Sequence, residues 1–515
     1  MPKITAKRQI GQFIEQLREQ KGWSQLEMAK KLDIEPEMLV KMELGRHDFS
    51  TEMLEKISQI LNHRIVKIDQ SIDFEVEGGH ELSGEIEVNC SKNGAMGLLC
   101  ASLLNEGETV LHGIPRIEEV FRIIEVLESI GVDIAWQDFE TVAIKVPKVL
   151  EMGDIDRKIA AATRTIIMFL GPLIHLLPEF KIPQTQGCKL GKRTISAHIY
   201  GLEKMGVRIK VTKDSYDVKV PNFPLFKPNL ANSTREIVMY ESGDTATENL
   251  ILAAAKMPGK TVIKFASSNY MVQDVCFFLL KCGVKIEGIG TSTLTIWGVE
   301  KINQKIEFFN SKDPIEAMTF LSAGICTNSS ITIRACPIDF LELEISKLEK
   351  MGVKLKLGKK YKDSNGFTNL VDITTIKSPD GIKLRAPEDK LYGGPFPAIN
   401  IDNLPFFVPI CCLAKGNSLI HDWVFEDRAM SFMEFKRLGA TMILADPHRV
   451  YITGVNSFKN GQVVCPPIIR TAMAILIAMM SADGTSTLRN VYSIKRGYAQ
   501  IAERLNTLGA KITVI

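Results

Sequence analysis

Residues 187–194 read GCKLGKRT, which sets the thiol of Cys188 beside Gly187 and just ahead of Lys189, Lys192 and Arg193. Cationic neighbours favour a thiolate, so three of them this close should lower the cysteine pKa toward neutrality and make it a candidate acid or nucleophile. The glycines let a ligand approach the backbone closely. The string is not a Walker phosphate loop, because three residues rather than four separate Gly187 and Gly191, and an arginine follows the lysine. An ordinary loop cysteine is the competing reading.

Arg428 in FEDRAM and Arg496 in IKRGYA stand at comparable places further along. If such loops face one another, they form a cationic cleft suited to a small, strongly anionic substrate. None of the ten cysteines forms C-x-x-C, and none lies near a spaced histidine pair, so zinc and dithiol redox chemistry are not expected. The net charge of +3 argues against a large basic surface, so any cationic site has to be local.

The elements that must position these residues form a repeat. An apolar helix end, a glycine and a short alternating run recur six times, at Gly131, Gly206, Gly283, Gly352, Gly439 and Gly509. The spacing predicts units of about 70 residues, each a strand, a turn, an amphipathic helix and further strands, with the glycine in the left-handed position that ends a helix. One such unit cannot bury its apolar face alone. Six copies therefore predict two domains of three.

With 515 residues and 45% apolar content the chain can build several cores. Its longest apolar runs, such as AMAILIAMM, are too short to span a bilayer, and the N-terminus lacks a secretory apolar region. A cytoplasmic protein without a membrane partner is expected. Residues 1–68 stand outside the repeat and predict short helices, with Ser24 and Glu27 as a capping box.

Within this segment, WSQLEMAKKLDIEPEMLVKMELGRHDFS resembles the helix-turn-helix of the lambda-repressor-like family. The resemblance implies DNA as a partner, with Gln25, Lys41 and Arg46 on phosphates and a helix from near Glu35 in the major groove. Twelve basic against ten acidic residues in 1–68, and acids at Glu35 and Glu37, weigh toward a docking or dimerisation module instead.

From residue 74 onward, LSGEIEVNCSKNGA, TRTIIMFLGPL, GCKLGKR, ATENLILAAA, FEDRAM and RGYAQI occur in an order that resembles the UDP-N-acetylglucosamine enolpyruvyl transferases. The resemblance implies an α/β fold: a two-lobed inside-out α/β barrel of six βαβαββ repeats, three per lobe, beside the N-terminal all-α helix-turn-helix domain. Residues 72–90 and 309–515 would form one lobe and 91–308 the other, after the helix-turn-helix at 1–68.

The implied reaction moves the enolpyruvyl group of phosphoenolpyruvate to the 3′-hydroxyl of UDP-N-acetylglucosamine and releases phosphate, in peptidoglycan precursor synthesis, without a metal or redox cofactor. By the same resemblance the catalytic residues are Cys188, Asp402, Lys92, Arg193 and Arg496, with Asp402 taking the hydroxyl proton and Cys188 assisting protonation or product release. Asn93, Arg164, Gly243, Val424, Arg428 and Arg470 would bind substrate. Departures from the family pattern gather on the nucleotide side: Glu241, Ser196, Ala197, Ile468 and Pro314. They keep open a different nucleotide or nucleotide-sugar acceptor, and a ligand-sensing DNA-binding regulator with a degenerate transferase body.

Overall fold

The computed structural model describes residues 3–47, 53, 56–57, 60–61, 72–184 and 195–515, in two compact units divided after Ser71. The first unit contains helices Lys3–Gln20, Gln25–Leu32 and Pro36–Glu43, and Ile57 and Leu61 are also helical. Ile14, Met28, Ala29, Leu32, Leu39, Met42, Ile57 and Leu61 make its core. The first helix runs from Lys3, since nothing in KITAKRQ breaks a helix. Ser24 accepts from Glu27 N while the Glu27 carboxylate accepts from Ser24 N, completing the capping box. Asp33 ends that helix at φ 55°, a left-handed position that Asp tolerates through its short polar side chain.

The second unit is built from helices that are apolar on every side and sheets that wrap them. Pro314–Cys326 and Leu404–Cys412 are buried at every residue, and Lys92–Ser102, Asp244–Ala254 and Ile469–Ser481 are buried beyond their first turns apart from the last residue, Ser481. A helix without a polar face is stable only in an interior. The strands supply the outer surface, with alternating burial as in Phe74–Gly78 and Glu108–His112.

Six principal sheets surround these helices. Each carries at one edge the strand that follows a repeat glycine: Asp133–Trp136, Arg208–Val211, Lys285–Glu287, Leu355–Leu357, Thr441–Asp446 and Lys511–Val514. Every one of these edge strands is antiparallel to its neighbour. The six glycines have φ between 82° and 102°, a region open to glycine because it has no Cβ.

Two hydrophobic cores divide this unit. Buried side chains from Ala95 to Phe308 make one, and Phe74–Val88 with residues from Ile315 to Ile512 make the other. The chain crosses between them twice, and the crossings lie side by side: Ser91 N donates to Ser311 O at 2.7 Å and Asp313 N to Asn89 O at 2.9 Å. Asn310 Nδ2 ties both strands down by donating to Ser91 O and Gly113 O.

Two helical units differ from expectation. The segment before Gly439 is an α-turn, Arg428–Ser431, followed by a 3₁₀ helix, Phe432–Leu438. The segment before Gly509 is broken into Tyr492–Gly497 and Ile501–Thr507. Tertiary contact overrides helix propensity there: the Tyr498 hydroxyl lies 2.9 Å from Thr319 Oγ1, and a Cβ on Gly497 would sit 2.7 Å from Ile469 Cγ2.

Candidate functional site

Lys92 opens the helix Lys92–Ser102, which Ser91 caps by accepting from Gly94 N. A lysine at a first helical turn is electrostatically misplaced. Its partner is Glu119, near the start of helix Glu118–Ser129: Lys92 Nζ lies 2.5 Å from Glu119 Oε2. Arg496 reaches the same carboxylate from the other core, Nε 3.4 Å from Oε1. Burial raises the Glu119 pKa, but Lys92 and Arg496 outweigh it and hold the carboxyl below its usual range. Glu119 was not singled out in the sequence; the only signal was its place in PRIEEV at a strand-to-helix turn of the repeat.

Asp402 sits on the turn Asn400–Asn403, ahead of helix Leu404–Cys412. Glu344 fixes that turn by accepting from Asn400 N and Asn403 Nδ2, each at 2.9 Å. Arg428 Nη1 lies 3.7 Å from Asp402 Oδ1, and Arg470 Nε 3.7 Å from Oδ2. Arg428 is 1% exposed, paired with the fully buried Asp422 and donating to Ile401 O at 2.7 Å. It is therefore interior, touching the turn that carries Asp402, and not a cation at the cleft surface. Arg470, nearly as buried, lies with its guanidinium carbon 5.1 Å from the Tyr498 ring.

Tyr270 links the two clusters. Its hydroxyl is 2.8 Å from Ser91 Oγ, next to Lys92, and burial raises its pKa while Asp313, Arg470 and Asp402 act on it through space. The start of the Lys92 helix and the Asp402 turn thus face one region. Asp313 caps helix Pro314–Cys326, so Pro314 occupies the first helical position, where its missing N–H costs nothing.

The remaining residues expected to touch substrate, and the departures from the family pattern, lie on several elements. Asn93 follows Lys92 and is half-buried, while Val424 is 38% exposed two residues after Asp422. Gly243 is the N-cap of helix Asp244–Ala254. Asp244 accepts from Ser267 Oγ at 2.5 Å and Asn269 Nδ2 at 3.2 Å; burial raises its pKa, with a smaller through-space contribution from Asp402. Glu241 is exposed beside it. Arg164 opens the 3₁₀ helix Arg164–Phe169, and together with burial its charge holds the His198 pKa at about 3. Ser196 and Ala197 open helix Ser196–Lys204, and Ile468 caps helix Ile469–Ser481. Cys188 and Arg193 lie outside the described residues.

In the first unit Gln25, expected on phosphate, donates from Nε2 to Glu43 Oε2 at 2.7 Å; Glu43 is itself paired with buried Arg18 at 2.6 Å. Lys41 and Arg46 are exposed, as are Glu35 and Glu37. Among the described residues no helix is long and apolar enough to cross a membrane, and no group of three or more His, Cys, Asp or Glu side chains is placed to hold a metal.

Residues 76–505 match EPSP synthase (3-phosphoshikimate 1-carboxyvinyltransferase), and the chain belongs to this enolpyruvyl transferase family. Residues 14–65 match a helix-turn-helix domain. Among curated proteins the chain is similar to the UDP-N-acetylglucosamine 1-carboxyvinyltransferase of Bradyrhizobium diazoefficiens, 32% identical over 86% of this chain and 97% of that one. The enzyme of the same name from Borreliella burgdorferi is 32% identical over 85% and 97%. Among solved structures, the enolpyruvyl transferase NikO from Streptomyces tendae superposes with a TM-score of 0.74 at 20% identity, over 87% of this chain and 99% of that one. EPSP synthase from Acinetobacter baumannii superposes with a TM-score of 0.66 at 17% identity, over 86% and 100%. These two likenesses concern the fold.

Proposed function

We propose that this chain transfers the enolpyruvyl group of phosphoenolpyruvate to the 3′-hydroxyl of UDP-N-acetylglucosamine, releasing phosphate, as a step of peptidoglycan precursor synthesis in the cytoplasm. The observation that carries this reading is the 32% identity with curated enzymes of that activity across nearly their whole length. On this reading residues 72–90 with 309–515 and residues 91–308 are the two lobes of an inside-out α/β barrel of six repeats.

Phosphoenolpyruvate concentrates a carboxylate and a phosphate on three carbons, so its site needs fixed cations that stay charged at neutral pH. Lys92 and Arg496 are two of these, and Arg193 is a third. Asp402 accepts the proton of the attacking hydroxyl. Arg428 Nη1 and Arg470 Nε, each 3.7 Å from one of its oxygens, hold that carboxylate in place. Cys188 protonates the enolpyruvyl methylene or assists product release. Asn93, Val424 and the backbone near Gly243 contact the acceptor, and Arg164 is a further cation for the phosphoenolpyruvate anions. Closing the lobes excludes water from this site.

A different acceptor is the second reading. The observation favouring it is the pair of acids, Glu241 and Asp244, that flank Gly243 where the diphosphate would lie. Phosphate release from phosphoenolpyruvate, followed with the full chain and a panel of UDP-sugars and nucleosides, separates the two. UDP-N-acetylglucosamine is expected to give the highest kcat/KM; a higher value with another acceptor replaces it. Absence of release with every acceptor, together with a ligand-dependent DNA footprint from residues 1–68, would instead establish a regulator.

A further inference from the structure

Helix Glu118–Ser129 packs in one core, and helix Tyr492–Gly497 belongs to the other. Adjacent carboxylates at the start of the first reach two side chains one turn apart on the second. Tyr492 Oη donates to Glu118 Oε1 at 2.9 Å, and Arg122, paired with Glu118 on its own helix, donates from Nη2 to Tyr492 Oη at 3.1 Å. One residue on, Glu119 takes Arg496 with one oxygen and Lys92 with the other. Glu119 is thus a single anion bridging cations from both lobes.

The setting of this bridge differs from a structural ion pair. The Lys92, Arg496 and Glu119 side chains are 16%, 18% and 21% exposed, so each keeps an edge on solvent, although Arg496 Nε itself is buried. The two cations and one anion leave a net charge of one positive unit. An incoming anion competes with Glu119 for the same two cations, because Lys92 and Arg496 converge on one carboxylate. The neighbouring Glu118, Arg122 and Tyr492 contacts use none of those groups and persist when Glu119 lets go.

We propose that Glu119 is a positioning residue that stands in for the substrate anion: it gathers Lys92 and Arg496 to one point across the lobe interface while the site is empty, and phosphoenolpyruvate displaces it from Arg496. The Glu118–Arg122–Tyr492 cluster keeps the two helices in register during the exchange. This rests on the assignment of Lys92 and Arg496 to phosphoenolpyruvate. It accounts for a carboxylate where an anionic substrate is bound: the carboxylate weakens substrate binding and in exchange preorganises cations that would otherwise repel each other.

The test measures phosphoenolpyruvate affinity by titration calorimetry of the full chain, with kcat and KM where an acceptor turns over. Glu119→Gln removes the competing charge, so phosphoenolpyruvate should bind about fivefold more tightly at low salt, the scale of one partly exposed ion pair. The gain should shrink toward 0.5 M salt, roughly where the screening length falls to a few ångströms. In the same variant kcat should fall, because the charge that draws the two cations to one point is gone: KM and kcat drop in company, which loss of folded protein alone would not produce. Glu119→Asp keeps the charge on a shorter arm and should retain wild-type affinity within about twofold while lowering kcat.

Unchanged or weaker binding by Glu119→Gln, or equal tightening by Glu119→Asp, overturns the proposal provided the wild type binds phosphoenolpyruvate. A wild-type chain that does not bind phosphoenolpyruvate overturns the functional reading beneath it.

Discussion

Two carboxylates in this cleft each lie between two cations, yet their settings differ. Asp402 faces Arg428 and Arg470, which are 1% and 6% exposed and anchored within one lobe by Asp422, the Ile401 carbonyl and the Tyr498 ring. Glu119 joins Lys92 and Arg496, which come from different lobes and remain within reach of solvent. Buried, multiply bonded cations cannot leave without exposing unpaired charge, whereas partly exposed ones exchange partners at lower cost. The first cluster therefore suits a proposed base whose position must be constant. The second suits binding, release and lobe movement.

The strongest challenge to this contrast is Asp402→Asn, which removes the proposed base and leaves its shape. Turnover should fall about 10²- to 10⁴-fold with phosphoenolpyruvate affinity nearly intact, as measured by phosphate release and calorimetry. Arg428→Ala comes next: stripping a buried partner from Asp422 should cost about 3–5 kcal/mol in urea unfolding. Arg496→Ala is its counterpart and should cost at most about 1 kcal/mol of stability. That variant should nevertheless lower kcat/KM for phosphoenolpyruvate about 10- to 100-fold, through loss of charge-assisted hydrogen bonds.

A third acid sharpens the comparison. Asp274 is wholly buried, accepts from Ser311 Oγ at 2.5 Å beside the lobe crossings, and burial pushes its pKa up to about 8. Its folded-state pKa lies above the unfolded value of about 3.9. Its contribution to stability is therefore complete below that lower value and lost as the pH rises toward about 8. Asp274→Asn should flatten the stability profile over that interval, as urea midpoints at pH 5 and 8.5 would show. The smallest effect expected is outside the cleft: Ser24→Ala should destabilise the helix-turn-helix unit by about 1 kcal/mol and leave turnover unchanged.

Local rules were strong wherever the chain itself supplied both partners. The repeat glycines, the strands after them and the Ser24–Glu27 cap depend on neighbours within a few residues, and each was legible as a pattern. The broken helix at Tyr498–Gln500 was not legible, because the residues that shape it, Thr319 and Ile469, are distant in sequence. Among the site residues, Lys92, Asp402, Arg428, Arg470 and Arg496 were named from motifs. Motifs did not distinguish the interior Arg428 from the accessible Arg496, since both occur in short polar loops of the repeat.

Sequence alone determined the sixfold recurrence, the helix-turn-helix at the front and a chemistry that demands fixed cations, because periodicity, capping and charge type are properties of short stretches. Tertiary structure alone decided which cations share a carboxylate and how deeply each is buried. Glu119 meets Arg496 across 377 positions only because two crossings bring the lobes face to face, and the strength of that meeting depends on solvent, which no linear pattern records.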